Sequence, residues 1–325
     1  MQTFSVNSLV SVIMPVYNAS RYLEQAIHSI LDQTHKNLEI LIADDSSTDN
    51  SWEIIEKIED PRIIKFKNEN NLGYLKTCNI LFDKCSGNFI TFQDADDFSD
   101  PRRIELQLNS FQEDHELGIC GTSICRIDSN GNIILKEGKR QSDSDIKAEI
   151  GKSPQFCGAT IMIKKSVLKK IGGYKEYFDR IGSEDYDWSF RIVEKFKAKN
   201  LTEALYFYRQ HSEAISKEVN PRKMVSSKMV LFFADQRKIN GEDDLMKGNH
   251  TEAKMREEKF LIPYQNDPSL IFVEYASWFM YNKMFRDAIS ISISALKVNP
   301  YSLRNLRTLL YCVRKSIANY VWNRG

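Results

Sequence analysis

The sequence of 325 residues lacks the patterns of several common protein classes. No uninterrupted run of about 18 apolar residues is present, so no segment is predicted to span a bilayer. The 45 Lys and Arg nearly cancel the 44 Asp and Glu, and this balance predicts no general affinity for nucleic acid. Six cysteines form neither a CxxC pair nor a zinc spacing, and the first residues do not resemble a signal peptide. We therefore expect reduced thiols and a cytoplasmic location.

Two glycine motifs that bind nucleotide phosphates are also missing. The first apolar run is not followed by GxGxxG, which argues against a dinucleotide-binding protein. The stretch Gly151-Lys152-Ser153 resembles the end of a Walker A motif, but Ile146 stands where that motif requires glycine. A bound phosphate would therefore need charge from another source, such as a metal ion.

Apolar runs and helical periodicities alternate over the first hundred residues. Short apolar runs predict strands that are separated by helical segments, at 9–14, 38–43, 62–66 and 88–92. This alternation predicts an α/β fold with a doubly wound, mostly parallel sheet. After Pro101, hairpin signals and further apolar runs, including the run at 156–163, predict a mixed second half of the same sheet. From about Pro221 onward the pattern predicts helices only.

Carboxylates follow two of the predicted strands. Asp44 and Asp45 come after the second strand, and Asp94, Asp96 and Asp97 come after the fourth. Carboxyl ends of parallel strands meet at one edge of the sheet, where ligands bind. A single acid there is explained by helix capping, but three within four residues are not. Mg²⁺ or Mn²⁺ explains them better, because these hard cations bind through one or two carboxylates plus substrate phosphates.

Six motifs in order over about residues 9–215 resemble the family-2 glycosyltransferases with the GT-A fold. They are VSVIMPVYN with SILDQT, ILIADDSSTDNS, NNLGYLKTCN, DADD, GSEDYDWSFR and YRQHSEAIS. The resemblance implies that residues 1–100 form the nucleotide-sugar-binding half of a GT-A domain. Residues 101–220 would form the acceptor-binding half, followed by a helical region at 221–325.

The resemblance also implies which residues bind the donor. Pro15, Tyr17 and Asp45 would line the pocket for the nucleotide base, and Asp45 would accept a hydrogen bond from the base. A second group of implied contacts to the nucleotide or its diphosphate consists of Asn71, Gly73 and Lys76. Two positions depart from the family pattern in this segment, Lys76 and Cys78.

The metal and catalytic residues follow from the same resemblance. Asp94 would face the ribose or the metal shell, while Asp96 and His211 would bind Mn²⁺ or Mg²⁺. Asp185 would be the general base that activates an acceptor hydroxyl, with Glu184 on the acceptor side. Helix-dipole stabilisation is the alternative explanation for these acids, because both lie in the first turn of a predicted helix.

The last helical segment is both apolar and basic. No carboxylate follows Asp287, whereas Arg307, Arg314 and other cations recur among apolar residues. Tyr320 and Trp322 near the end suit a membrane interface. Contact with the inner face of the plasma membrane is one interpretation, and packing on the catalytic domain or on a second copy of the chain is the other.

The resemblance predicts an inverting transfer of a sugar from a nucleotide-sugar, with UDP favoured, to a hydroxyl of a glycan or lipid-linked acceptor in surface polysaccharide synthesis. Two alternatives remain open from the residues. A sugar-phosphate nucleotidyltransferase would release pyrophosphate, but its Gly- and Arg-rich loop is missing after the first strand. A non-catalytic scaffold with this fold would not need the acids at Asp45, Asp94, Asp96 and Asp185.

Overall fold

Four apolar segments form the parallel half of the sheet. These strands are β1 (Val10–Val16), β2 (Leu38–Asp44), β3 (Ile63–Lys67) and β4 (Phe89–Phe92). They lie in the order β3-β2-β1-β4, and each neighbouring pair is parallel. Every residue of β1 and β4 is buried, which explains their continuous apolar sequence. The strand order reverses beside β1, and open sheets of this kind bind ligands at such a point.

Helices connect the parallel strands, as the alternation predicts. They are α1 (Leu23–Leu31), α2 (Ser51–Lys57) and α3 (Tyr74–Lys84). Helix α1 begins without a side-chain cap, although Ser20 lies just before it in the sequence. Tyr22 precedes the helix without a side-chain cap, and the Ser20 backbone N–H donates instead to Asp49 Oδ2 at 3.0 Å.

The mixed half of the sheet follows β4 in the chain. Its elements are β5 (Phe98–Ser99), α4 (Arg103–Glu113), β6 (Leu117–Ile127), β7 (Ile133–Glu137), α5 (Asp143–Glu149), β8 (Met162–Lys164), α6 (Lys165–Ile171), α7 (Glu184–Val193) and β9 (Lys197–Arg209). Strand β8 is antiparallel to β4 and β6, whereas β9 is parallel to β6. The predicted α/β fold with a mixed second half is confirmed.

One predicted strand in this half is wrong. The run at 156–163 is not continuous, because Gly158–Thr160 form a 3₁₀ turn and only β8 is a strand. Thr160 closes the turn by donating from its backbone N–H and its Oγ1 to the Cys157 carbonyl, at 2.9 and 2.8 Å. These local bonds replace the ladder that the apolar sequence suggests.

The C-terminal region is helical throughout its described part, as predicted. Its helices are α8 (Pro221–Asn240), α9 (Asp244–Lys247), α10 (Thr251–Asn266), α11 (Ser269–Tyr281), α12 (Phe285–Val298) and α13 (Leu303–Trp322). Asn220 caps α8 by accepting the Arg222 N–H at 2.9 Å, and Pro221 occupies the first helical position. Aromatic side chains such as Tyr275 and Phe279 fill the core of this region.

The computed structural model describes residues 8–138, 141–210 and 219–322, with side chains up to residue 318. The chain divides into two compact units, Met1–Ala214 and Ile215–Gly325. The first unit contains the sheet, and the second contains the helices of the C-terminal region. None of the helices in these described ranges is long and apolar enough to cross a membrane.

Candidate active site

The first two strands end side by side at one edge of the sheet. In the parallel register, Pro15 lies beside Ala43 and Val16 beside Asp44. The Asp45 backbone N–H donates to the Val16 carbonyl at 2.7 Å and continues this pairing by one residue. Pro15 is buried, whereas Tyr17 is 47% exposed. The structure therefore brings Pro15, Tyr17 and Asp45 together.

Asp45 holds the loop that precedes α3. Its buried carboxylate accepts hydrogen bonds from Asn68 Nδ2 at 2.8 Å, Leu72 N at 2.9 Å and Gly73 N at 2.8 Å. Gly73 has a φ of 89°, a conformation that favours glycine and that aims its N–H at the carboxylate. Asn68 could not be found from the sequence, because its partner lies 23 positions away.

The same loop is fastened to the segment before α7. Arg180 Nη2 donates to the Asn71 Oδ1 at 2.9 Å and to the Asn71 carbonyl at 3.1 Å. Lys76 Nζ lies 3.1 Å from Asp179 Oδ2. Asp179 and Arg180 carry no motif signal, so the sequence did not indicate them. The structure thus connects the loop and the start of α3, both implied in diphosphate binding, to the segment that precedes α7.

Three carboxylates crowd the end of β4. Burial, then the charges of Asp96 and Asp185, raise the pKa of Asp94 to about 7. Burial and the charges of Asp96 and Asp94 raise the pKa of Asp97 well above its usual range. The Asp97 Oδ1 accepts the Arg209 N–H at 2.6 Å, and the Asp96 carbonyl accepts Arg209 Nε at 2.8 Å. The cluster is therefore electrostatically strained.

Two tyrosines, half-buried Tyr74 and buried Tyr206, hydrogen-bond to Asp94. The Tyr74 hydroxyl, in the first turn of α3, donates to Asp94 Oδ1 at 3.3 Å. The Asp94 backbone N–H donates to the Tyr206 hydroxyl at 3.1 Å. Tyr74 lies inside a recognised motif, but no spacing indicated that it would contact Asp94. Tyr206 comes from β9, more than 100 residues away in the chain.

Helix α7 brings two further acids to this site. Gly182 and Ser183 have φ values of 77° and 70°, and this left-handed pair turns the chain into the helix. Asp185 Oδ1 accepts the Tyr186 N–H at 2.8 Å. Burial, then the charges of Asp185 and Asp94, raise the pKa of Glu184 to about 8. The acids of α7 and those after β4 therefore act on one another.

The third acid of α7 has a structural role. Asp187 Oδ2 accepts Arg191 Nε at 2.8 Å, and both side chains are buried. The guanidinium also donates to the carbonyls of Ile171 and Gly173, each at 2.9 Å. This pair fixes the helix against the turn after α6.

The acids after β4 suit a hard divalent cation. Oxygen ligands are those that Mg²⁺ and Mn²⁺ prefer. A cation would offset the burial and the repulsion that together raise the pKa values of Asp94 and Asp97. In the described part of the chain, no three His, Cys, Asp or Glu side chains form a complete metal site. The implied ligand His211 lies outside the described residues.

Comparisons with known proteins define the class of this protein. Residues 11–172 match the family model described as "Glycosyl transferase family 2". The chain is 34% identical over 213 residues to the putative glycosyltransferase EpsE of Bacillus subtilis, covering 64% of this chain and 75% of that one. It is 32% identical over 217 residues to the UDP-Glc:alpha-D-GlcNAc-diphosphoundecaprenol beta-1,3-glucosyltransferase WfaP of Escherichia coli, covering 64% and 80%.

Solved structures share the fold. Residues 1–349 of S. aureus TarS in complex with UDP match with a TM-score of 0.57 at 20% identity, over 96% of this chain and 88% of that one. The mannosyltransferase PcManGT of Pyrobaculum calidifontis in complex with GDP-Man and Mn²⁺ matches with a TM-score of 0.55 at 15% identity, over 95% and 80%. The fold is that of the GT-A glycosyltransferases. The chain belongs to glycosyltransferase family 2 and is an enzyme that transfers sugars.

Proposed function

We propose that the enzyme transfers a sugar from a UDP-linked donor to a hydroxyl of a glycan or lipid-linked acceptor, with inversion at the anomeric carbon. The observation that carries the proposal is the pairing of two groups of acids in one site, after β4 and at the start of α7. The names of relatives support the pathway, since WfaP acts on a diphosphoundecaprenol acceptor and another relative is an O-antigen biosynthesis glycosyltransferase. Synthesis of a bacterial surface polysaccharide is the proposed role.

The donor would lie along the edge formed by β1, β2 and β4. Pro15, Tyr17 and Asp45 would receive the base, and half-exposed Tyr17 is available to stack on it. Asp45 would bind the base while its carboxylate also accepts the hydrogen bonds that hold the loop before α3. The diphosphate would contact Asn71 and Gly73 on that loop and Lys76 in α3.

Asp94 and Asp96, which follow β4, would face the diphosphate. Asp96 and His211 would hold Mn²⁺ or Mg²⁺, with Asp94 in the ribose or metal shell. When bound, the cation stabilises negative charge on the departing diphosphate. Tyr74 and Tyr206 keep Asp94 oriented through the bonds described above.

Asp185 would supply the base. A sugar hydroxyl is a poor nucleophile at neutral pH, and a positioned carboxylate accepts its proton as the new glycosidic bond forms. The bond between the anomeric carbon and the diphosphate oxygen breaks in the same displacement, and its electron pair leaves with UDP. Attack opposite the leaving group inverts the anomeric carbon. Glu184, whose raised pKa favours the protonated form, would donate a hydrogen bond on the acceptor side.

A donor panel tests the proposed reaction. We expect Mn²⁺-dependent release of UDP from one UDP-sugar, increased by a polyprenyl-diphosphate sugar acceptor, and little release from GDP- or dTDP-sugars. Release can be measured by coupled nucleotide detection, and the anomeric configuration of the product by NMR. Retention of configuration, or release of pyrophosphate from a sugar phosphate and UTP, would contradict the proposal.

Binding of Mn²⁺ and UDP should weaken in acid. Because the pKa of Asp94 is about 7, the cation must displace a proton below that pH. We expect affinity about tenfold lower at pH 6 than at pH 8, measured by calorimetry. The pKa of Asp94 rises from the usual 3.8 to about 7 in the folded protein. Between these two pH values the folded state therefore binds one more proton than the unfolded state. The metal-free protein should therefore lose stability as the pH rises from about 4 to about 7.

A pair of variants separates this effect from the titration of neighbours. Asp94→Asn should reduce the pH dependence of binding strongly, whereas Glu184→Gln should keep it. The same affinity at pH 6 and pH 8 in the wild type would show that Asp94 does not lie at the cation site.

Helix α13 offers a surface for the proposed membrane contact. Leu303, Leu306, Leu310 and Ile317 lie on one stripe of the helix and are 44–69% exposed. Arg307 and Arg314 flank the stripe. Asn305 and Cys312 are buried on the opposite face. The side chains of Tyr320 and Trp322 lie outside those described.

We propose that this stripe docks on an anionic bilayer at the cytoplasmic face of the membrane, where a lipid-linked acceptor would be reached. Apolar side chains enter the headgroup boundary, and each nearby cation adds about 1 kcal/mol at an anionic surface. The alternative is that a second copy of the chain packs on this stripe. That copy would have to place carboxylates beside Arg307 and Arg314.

Flotation with vesicles tests this surface. Wild-type protein should float with phosphatidylglycerol vesicles and much less with phosphatidylcholine alone, whereas Leu310→Glu with Ile317→Glu should remain at the bottom. Ile239→Glu, at an apolar side chain of α8 that is 80% exposed, is the matched control and should float normally. Equal flotation of the double variant, or a change only in its oligomeric mass, would contradict membrane docking.

A further inference from the structure

Gly158 leaves room for the carboxylate of Asp185. A methyl group at Gly158 would lie 2.7 Å from Asp185 Oδ2 and 2.9 Å from its Cβ, which is closer than real Cβ contacts. Gly158 is not among the glycines with positive φ, so its backbone conformation suits other residues. Space, and not backbone freedom, therefore requires glycine at this position.

The turn that carries Gly158 cannot easily move away. Its Ala159 carbonyl accepts Nη1 of Arg103 at 3.2 Å, and its Thr160 carbonyl accepts Nε2 of Gln107 at 2.8 Å. Both donors are buried side chains of α4. Thr160 Oγ1 also accepts the Thr122 N–H at 3.3 Å. The turn is therefore fixed to the sheet and to α4.

The other side of the Asp185 carboxylate is fixed as well. Oδ1 accepts the Tyr186 N–H at 2.8 Å in the first turn of α7, and Tyr186 itself donates from its hydroxyl to the Ile150 carbonyl at 2.5 Å. The carboxylate is thus held between the start of a helix and the Cα of Gly158. A group added at Gly158 must displace Asp185, because neither the turn nor the helix is free to move.

We propose that Gly158 is a positioning residue for the reaction, and that it sets where the Asp185 carboxylate meets the acceptor hydroxyl. The inference rests on the proposed role of Asp185 as the base. Gly158 acts only through that side chain, and it contributes nothing to binding of the nucleotide. Since a misplacement of about 1 Å can reduce a rate 10²-fold, even the smallest added side chain should be costly.

The test compares two glycine-to-alanine variants of the full chain. Gly158→Ala should lower kcat about 10- to 100-fold, with the KM for the UDP-sugar and the calorimetric affinity for Mn²⁺ and UDP unchanged. Gly151→Ala is the matched control, because no atom lies within 4 Å of its added methyl group. A kcat for Gly158→Ala within twofold of the control, or an equal loss of nucleotide affinity, would overturn the inference.

A double variant distinguishes this inference from the proposed function. If Gly158 acts through Asp185, adding Gly158→Ala to Asp185→Asn should cause no further loss of kcat. Full turnover by Asp185→Asn alone would instead refute the base, whatever Gly158→Ala does. Should Gly158→Ala fail to fold, Thr160→Val loosens the same turn without adding atoms. It should lower kcat at constant KM, and unchanged kcat would overturn the inference.

Discussion

Replacing Asp185 by asparagine should reduce kcat by about 10²–10⁴-fold while UDP and Mn²⁺ still bind normally. Asparagine keeps the shape of the side chain but cannot accept the proton of the acceptor hydroxyl, and general-base catalysis contributes a factor of this size. The amide can still accept the Tyr186 N–H that holds the side chain in the first turn of α7. The rate of UDP release at saturating donor and acceptor, with calorimetry for binding, measures both properties.

Asp145→Asn is the control for loss of a negative charge from the first turn of a helix. Asp145 lies in the first turn of α5 and is exposed, so Asp145→Asn removes the same charge from a helix N-terminus without touching the site. We expect wild-type kcat and at most a small loss of thermal stability. If Asp185→Asn and Asp145→Asn behaved alike, Asp185 would be a dipole residue and not the base.

Replacing Asp96 by alanine should abolish metal-dependent binding of UDP. We expect affinity for UDP in Mn²⁺ to fall by more than about 100-fold, since even residues behind metal ligands change affinity 10- to 100-fold. The thermal stability of the metal-free protein should not fall. Burial and then the charge of Asp96 raise the pKa values of Asp94 and Asp97, so removing that charge relieves repulsion in the fold.

Asp83→Ala, at an exposed acid of α3, is the control for general loss of negative charge. It should bind UDP as the wild type does. If Asp96→Ala still bound UDP in an Mn²⁺-dependent manner, Asp96 would not be a ligand of the cation. A large drop in its melting temperature would contradict the electrostatic strain described for this cluster.

The fold could be predicted from the sequence because its signals are local. Buried parallel strands leave continuous apolar runs, and helices between them leave a period of three to four, so β1 to β4 were found within one or two residues of their ends. The apolar run at 156–163 was wrongly predicted as one strand, because hydrophobicity alone does not reveal the turn inside it. Its apolar residues are buried, but the closure of the Gly158–Thr160 turn depends on hydrogen bonds that hydrophobicity does not reveal.

The candidate site could be predicted only as a set of acids. Motif order placed Asp45, Asp94, Asp96 and Asp185 in the set, but no pattern indicated how they are held. Asp45 proved to hold the loop at 68–73, Asp94 lies between two tyrosines, and Asp187 belongs to a buried ion pair. The roles of these residues in binding and catalysis stay predictions, and the variants above address them.

The sequence by itself determined which residues form strands and helices and which strand ends carry acids, because both depend on neighbours along the chain. Only the tertiary structure decided that the charges of the acids after β4 and of those in α7 act on one another, and that Gly158 meets Asp185. Such contacts join residues tens of positions apart, and they depend on how the mixed half of the sheet packs against α4 and α7. Charge and shape at the site are therefore set by that packing, which no spacing in the chain encodes.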